Sequence, residues 1–497
     1  MRNFKLYING EFVDSSDKHQ IVNPATGSVI AEVALADKNL AALAVKSARD
    51  AFDNGPWRKL SLEERKSYIL KIHEGILNKA GELAELETLN TGKPIKESTF
   101  MDVPSSADTF RYFADNLDKF IKDEIINIKT QVSTARGQLV REPMGVVVLI
   151  VPWNYPLIIA SWKLAQALAA GNCVILKPSS LTPLTALELA KIIHDAGLPE
   201  GVVNVICGSG DEIGEVLCTS LDVDMISFTG SNSIGKKILE YTSTNVKKAI
   251  MELGGKSASI VMEDVDLEVA VNGSLCSIFL NQGQMCTAMS RIFVHEKIYD
   301  KFIEDFVNKA KRIKLGDGMD FQTQMGPLAS EQQRSKVVEF VNNARKQGAK
   351  VLCGGRVSSE ENLKNGYFFE PTVIAEVTPQ MPIFRDEAFG PVTCISKFST
   401  LDEAIRLANA TDFALAACIW SSNMDAAKNL SLKLNAGTIW INTYGMFFNE
   451  LSYGGFKQSG FGKELGKEGL LEYTRLKNIV TDLSADSKPL INYWYGF

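Results

Sequence analysis

At 497 residues, with 45% apolar and 23% charged side chains, the chain is too long for one ordinary core and has the mix of a soluble protein of two large domains. A formal net charge of −6 excludes a basic nucleic-acid footprint, and the longest apolar run, "MGVVVLIVPW", stops at Pro152, far short of membrane length. Eight scattered cysteines without CxxC spacing point to free thiols in a reducing cytoplasm, and four unclustered histidines argue against a zinc site.

The first segment, "MRNFKLYINGEFV", alternates like a strand and lacks the apolar stretch of a signal peptide. In "SLEERKSYILKIHEGILNKAGELAELETLNTGKP", Ser61 and Glu64 have capping-box spacing and Ile69, Ile72, Ile76 and Leu77 recur at helical intervals. Gly92 and Pro94 close that helical region. From residue 145 short apolar runs, at 146–151, 173–177, 203–207, 225–228 and 249–252, alternate with "YPLIIASWKLAQALAAG", "PLTALELAKIIHDAGLP", "DEIGEVLCTS" and "NSIGKKILEYTS". Strands alternating with crossover helices predict a mostly parallel, doubly wound α/β sheet.

The unusual residues fall just after those strands: Pro152-Trp153-Asn154, Lys177-Pro178-Ser179-Ser180, Gly208-Ser209-Gly210, Thr229-Gly230-Ser231 and Glu252-Leu253-Gly254-Gly255. Parallel sheets bind ligands at that carboxyl edge, where loops and helix N-termini converge. A second alternating region, about 256–446, predicts a second α/β domain with strands in "SASIVM", "RIFVH", "PVTCISKF", "AACIW" and "GTIWIN" and helices at 266–280, 297–313 and 400–409. Residues 127–143 and the tail "INYWYGF" read as β pieces belonging to neither core; the aromatic tail is either a subunit contact or packed on its own chain.

Three groups carry chemistry. "GSGDEIG" (Gly208, Gly210, Gly214) is one residue longer than the dinucleotide fingerprint, while "FTGSNSIG" puts Gly230, Ser231 and Gly235 where backbone N–H groups meet a pyrophosphate. Lys177 ends a very apolar strand; it either reaches solvent or finds a ribose hydroxyl or phosphate. Cys286, in "FLNQGQMCTAMSR", is a candidate nucleophile, Glu252 a candidate base on a sharp, movable turn, and Asn154 a candidate oxyanion donor. For an isolated cytosolic cysteine, a buried structural thiol is the commoner outcome.

Together "VPWNYPL", "LKPSS", "SFTGS", "MELGGKS", "NQGQMCTA", "EAFGPV" and "YGGFKQSGFGKELG" resemble the NAD(P)-dependent aldehyde dehydrogenase superfamily, in its order and spacing over nearly the whole chain. The resemblance implies a Rossmann-like cofactor domain (1–124 and 144–254), an α/β catalytic domain (255–458) and a small β oligomerisation element (125–143 and 459–497) in a homodimer or homotetramer. It implies that Cys286 adds to the aldehyde carbon, that Asn154 and the Cys286 N–H hold the oxyanion, and that Glu252 activates the water that hydrolyses the thioester. Lys163 and Glu464 match supporting or proton-relay positions.

The cofactor, NAD or NADP, would then lie against Val151, Pro152, Trp153, Phe228, Ile234 and Leu253. Lys177, Ser179 and Ser180 would face the adenosine ribose, Gly210, Gly214, Gly230 and Ser231 the phosphates, and Glu387 and Phe389 the nicotinamide end. Many NAD-preferring relatives carry glutamate where Ser180 stands, so serine predicts that NADP is accepted. The aldehyde pocket would comprise Tyr155, Ile158, Ile159, Trp162, Leu280, Met285, Thr287, Phe447 and Tyr453. Tyr155, Trp162 and Tyr453 form either an aromatic box for a cationic aldehyde or part of an apolar funnel. Betaine-aldehyde enzymes usually carry tryptophan where Tyr453 stands, and no pocket position is basic, which disfavours anionic semialdehydes. The rival readings are a thiol hydrolase or acyltransferase using Cys286 and Glu252, and a silent binding protein.

Overall fold

The computed structural model describes residues 2–130 and 134–483. The apolar runs after residue 145 become five adjacent parallel strands, ordered Lys248–Glu252, Met225–Thr229, Val146–Ile150, Cys173–Lys177 and Val203–Val205. Their residues are almost all buried, as a sheet covered by helices on both faces requires. Gly460–Phe461 extends one edge antiparallel, and the hairpin Leu6–Ile8/Glu11–Val13 extends the other.

Strand order reverses between the neighbours Val146–Ile150 and Met225–Thr229, which makes their carboxyl ends a topological switch point. Pro152, Trp153 and Asn154 leave one of these strands, and Gly230 and Ser231 leave the other. Three crossover helices form as expected, Pro156–Ala169, Leu184–Asp195 and Asn232–Thr242, whereas "DEIGEVLCTS" divides into a π turn, Gly210–Gly214, and a short helix, Glu215–Thr219. Ser61 and Glu64 make both halves of a capping box on Leu62–Asn78. The predicted helical region then breaks at Lys79, and a second helix, Ala80–Thr91, ends at Gly92 with φ of 84°.

The second sheet has seven strands in the order Lys350–Cys353, Thr372–Ala375, Val392–Phe398, Arg291–His295, Ala258–Val261, Ala416–Trp420 and Thr438–Ile441. Only its first pair is antiparallel. Residues 253–257 run from the end of Lys248–Glu252 directly to the start of Ala258–Val261. So short a crossing sets the carboxyl edge of the first sheet against the amino edge of the second. Cys286 precedes Arg291–His295 at that amino edge, opposite Glu252.

A third sheet is antiparallel and joins Thr474–Asp482, Thr134–Pro143 and Glu124–Lys129 within one chain. Ile125, Ile126, Leu476 and Val480 stand exposed on it. The "INYWYGF" tail lies outside the described residues. Gly460–Phe461 belongs to the edge of the first sheet, so the segment beginning at residue 459 splits between two sheets. Among the described residues, no helix is long and apolar enough to cross a membrane.

Candidate active site

Helix Leu267–Phe279 is followed by three left-handed residues, Asn281 (φ 46°), Gln282 (φ 56°) and Gly283 (φ 70°). Each non-glycine residue there costs roughly 1–3 kcal/mol and persists only where its surroundings fix it. Several bonds do so. The Asn281 N–H donates to Glu97 Oε2 at 3.1 Å, and its side-chain amide donates to the Asn154 carbonyl at 3.0 Å. Asn154 Nδ2 donates to the Gln284 carbonyl at 2.8 Å, and the Ala329 N–H donates to Gln284 Oε1 at 2.9 Å. A Cβ on Gly283 would come within 2.2 Å of the Gly390 carbonyl, and one on Gly255 within 2.4 Å of the Cys286 carbonyl. The turn therefore delivers Cys286 to one place.

That place is a cavity of about 440 Å³, lined by Cys286 and Glu252 and by the predicted Tyr155, Ile158, Ile159, Trp162, Met285, Thr287, Phe447 and Tyr453. Trp162, Phe447 and Tyr453 meet with ring centroids 5.3–5.7 Å apart. Sequence reasoning missed Phe100, Met101, Pro104, Met446 and Phe448, which complete the lining from segments that carry no recognisable motif.

Two expectations are corrected. Leu280 lies outside this cavity and lines an adjoining surface groove, because the chain kinks as the helix ends. Tyr155 is a poor wall for a cation box, since the buried Lys93 ammonium already sits 4.0 Å from its ring centroid, held by Asp102 at 2.7 Å.

Electrostatics favour uncharged forms at the centre. Burial pushes the Cys286 thiol up to about 12, with a hydrogen bond from Tyr453 pulling the other way. Glu252 lies not on a movable turn but at the end of a strand, paired with Thr229 and Gly460. Both of its carboxylate oxygens are buried without a hydrogen-bond partner among the described residues. Burial first, then the negative Glu464, raise it well above the carboxylate range. Glu464 itself is fully engaged. Lys163 Nζ at 2.5 Å and Ser227 Oγ at 3.1 Å donate to Oε1, and Gln166 Nε2 at 2.7 Å donates to Oε2. Both members of the Lys163–Glu464 pair are buried, which makes them a fixed brace beside Glu252.

The first sheet's switch point opens into a crevice of about 330 Å³ lined by Ile150, Lys177, Gly210, Gly214 and Ile234. A Cβ on Gly210 or Gly214 would meet nothing, whereas one on Gly230 would sit 2.5 Å from the Phe228 ring. Burial lowers the Lys177 pKa, and its ammonium has no ion pair among the described residues. Ser231 caps helix Asn232–Thr242. Val151 and Phe228 are buried core residues rather than open to the crevice, Leu253 lines the Cys286 cavity, and Ser179 turns back to accept from the Leu181 N–H. Ser180 donates its hydroxyl proton to the Gly208 carbonyl at 3.1 Å, so lone pairs rather than a proton face outward. Glu387 accepts from the Gly255 N–H at 3.2 Å and is pushed by burial up to about 7; Trp153 packs on Phe389 with centroids 5.2 Å apart. An unpaired lysine, open glycines and a helix N-terminus along one crevice suit a dinucleotide with charged phosphates.

The chain matches the Aldehyde dehydrogenase family over residues 12–479. It is 43% identical to a betaine aldehyde dehydrogenase of Bacillus subtilis (strain 168), across 99% of each chain. Among solved structures it is similar to a betaine aldehyde dehydrogenase of Staphylococcus aureus in complex with NAD+, with a TM-score of 0.95 and 40% identity over 99% of both chains. It is also similar to PnpE from Pseudomonas sp. WBC-3, with a TM-score of 0.94 and 41% identity over 99% of this chain and 100% of that one. The chain belongs to the aldehyde dehydrogenase family and has its fold. It is an oxidoreductase that oxidises an aldehyde to the acid with a nicotinamide dinucleotide, and nothing supports the thiol-hydrolase alternative.

The Glu97 bond to the Asn281 N–H makes a testable demand on the cysteine turn. Glu97→Gln keeps an acceptor of the same length, so turnover stays within about threefold of wild type. Glu97→Leu strands a buried N–H, at a cost of about 1–3 kcal/mol, and loosens the turn. Steady-state kinetics are expected to show kcat falling at least about tenfold in the leucine variant alone. Equal loss in both variants would remove the hydrogen bond from the account.

Proposed function

We propose that Cys286 is the nucleophile of this reaction, and that the enzyme serves neutral or cationic aldehydes in preference to anionic ones. The observation that carries the reading is one apolar cavity holding Cys286 and Glu252 at the facing edges of two sheets, with a crevice lined by Lys177, Gly210 and Gly214 at the adjoining switch point.

In this reading the Cys286 thiol gives up its proton to solvent and the sulfur adds to the carbonyl carbon while the C=O electron pair moves to oxygen. The Cys286 N–H and the Asn154 amide proton not bonded to Gln284 receive that charge. Bound nicotinamide supplies the hydride acceptor. Once the hydride has left the carbon, the carbonyl re-forms as a Cys286 thioester. Glu252, once its own proton has passed to solvent, takes a proton from the attacking water, its high proton affinity being the consequence of burial and of the nearby Glu464. The C–S bond then breaks with its electron pair on sulfur. Lys163 and Glu464 act as a positioning brace in this scheme, because Lys163, Ser227 and Gln166 tie the carboxylate in place.

For the cofactor, Lys177 and Ser180 address the adenosine ribose, Gly230 and Ser231 the pyrophosphate, and Glu387 with Phe389 the nicotinamide end. The NAD+ complex of the Staphylococcus aureus relative supports NAD use. The absence of a carboxylate at position 180, beside an unpaired lysine, supports NADP acceptance as well. The exposed apolar strands Glu124–Lys129 and Thr474–Asp482 support a homo-oligomer, the free cysteines a cytoplasmic setting, and the three sheets a division into cofactor, catalytic and bridging parts close to that implied by the motifs. A cationic substrate such as betaine aldehyde is the second reading. It is favoured by the Trp162–Phe447–Tyr453 cluster and by the relatives' names.

The test is a panel of aliphatic, aromatic, trimethylammonium and carboxylate-bearing aldehydes, assayed by absorbance of reduced nicotinamide. Neutral or cationic members are expected to exceed the carboxylate-bearing ones in kcat/KM, and Cys286→Ser to be nearly inactive on all of them. Preference for an anionic aldehyde would overturn the substrate reading.

Cofactor choice has its own variant. One carboxylate at about 4 Å opposes each unit of phosphate charge by up to ~4 kcal/mol at an effective dielectric of ~20. Ser180→Glu is therefore expected to move the NADP-to-NAD ratio of kcat/KM toward NAD by at least about tenfold. An unchanged ratio, or a wild type blind to NADP, would show that another residue reads the 2′ position.

A further inference from the structure

Tyr453 stands in the aldehyde cavity as one of its aromatic walls, but its hydroxyl has a different partner. Tyr453 Oη lies 3.3 Å from Cys286 Sγ, and among the described residues it makes no other hydrogen bond. The ring is fixed on two sides by Trp162 and Phe447, at centroid distances of 5.7 and 5.3 Å. Its backbone is fixed too: the Tyr453 N–H donates to the Glu464 carbonyl at 2.6 Å, and the Glu464 N–H returns to Tyr453 O at 2.8 Å. The phenol thus cannot easily swing away from the sulfur, and it hangs from the same segment that carries the buried Lys163–Glu464 brace.

We propose that Tyr453 is a catalytic residue that donates its O–H to the Cys286 thiolate, stabilising it before attack and again as it leaves the thioester. The proposal rests on Cys286 being the nucleophile. In the resting site the thiol carries its proton, and the phenol is then as able to accept as to donate. Once that proton has passed to solvent, sulfur is an anion, and among the described residues the Tyr453 phenol is the hydroxyl hydrogen-bonded to it. The backbone N–H of Cys286 and the Asn154 amide serve the carbonyl oxygen; Tyr453 serves the sulfur. During acylation the S–C bond forms and the sulfur loses its charge. During hydrolysis the C–S bond breaks, the pair returns to sulfur, and the O–H again meets an anion.

The gain has a definite size. A hydrogen bond to a charged acceptor corresponds to about one to two pKa units on the thiol. Each unit changes the thiolate population tenfold, while intrinsic nucleophilicity changes only about threefold in the opposite sense. The net benefit is therefore about threefold per unit at neutral pH, or roughly three- to tenfold in all.

The experiment uses Tyr453→Phe, which keeps the ring and removes only the hydroxyl. The rate of Cys286 alkylation by iodoacetamide is measured against pH without aldehyde, with Cys286→Ser as the blank and peptide mapping to locate the label. At each pH from 7 to 10 the alkylation rate of Cys286 is expected to fall about three- to tenfold in Tyr453→Phe. Single-turnover formation of reduced nicotinamide near pH 7.5 is expected to fall about three- to tenfold, with thermal stability preserved. Alkylation of Cys286 as fast in Tyr453→Phe as in wild type, or faster, overturns the proposal. Full aldehyde oxidation after complete alkylation of Cys286 would instead overturn the nucleophile assignment itself, so the two failures are distinguishable.

Discussion

The left-handed turn from Asn281 to Gly283 is the constraint on which the site depends. It is conformationally costly, and it survives because groups from distant parts of the chain close around it. Glu97 holds one N–H, Asn154 donates to the Gln284 carbonyl and accepts from the Asn281 amide, and the Gly390 carbonyl leaves no room for a side chain at Gly283. Folding of the two sheets against each other and placement of the cysteine are consequently one event. Neither sheet alone supplies enough contacts to hold these backbone angles.

The same closure sets the electrostatics. Removing Cys286 and Glu252 from water disfavours both anions, so the resting site is a neutral thiol beside a carboxyl of high proton affinity. Charge is admitted only where donors wait for it, and each donor has an address. The Tyr453 phenol lies against the Cys286 sulfur, and Lys163 with Ser227 and Gln166 holds Glu464. Low effective dielectric makes each of these worth more than it would be in water.

Much of this was legible because parallel strands buried on both faces leave continuous apolar runs. Cys173–Lys177 was read to the residue, and the loops after the strands were found by their glycines, prolines and lone polar residues. The edge strand Lys350–Cys353 and its neighbour Thr372–Ala375 are not, being four residues each with a register shift in their pairing. Helices Lys38–Asp53 and Val103–Phe120 passed unmarked although both are amphipathic. In the site, motifs led to Cys286, Glu252, Asn154 and most of the cavity lining. They misplaced Leu280, whose direction turns on a kink that composition does not encode. They are silent about Glu97 and Lys93, because those side chains act on Asn281 and Tyr155, which lie far away in sequence. Ser180 was seen, but its proton is spent on Gly208, a carbonyl 28 residues further along.

The central claim is that oxidation passes through an acyl group on Cys286 that only Glu252 clears. Its most direct test is rapid acid quench of Glu252→Gln with aldehyde and NAD, followed by peptide mass mapping and by absorbance of reduced nicotinamide. Hydride transfer does not need the missing base, whereas release of the acyl group does. The account predicts a single burst approaching one reduced nicotinamide per active site, and an acyl adduct on the peptide carrying Cys286. Repeated turnover without an adduct, or an adduct on any other cysteine, would contradict it.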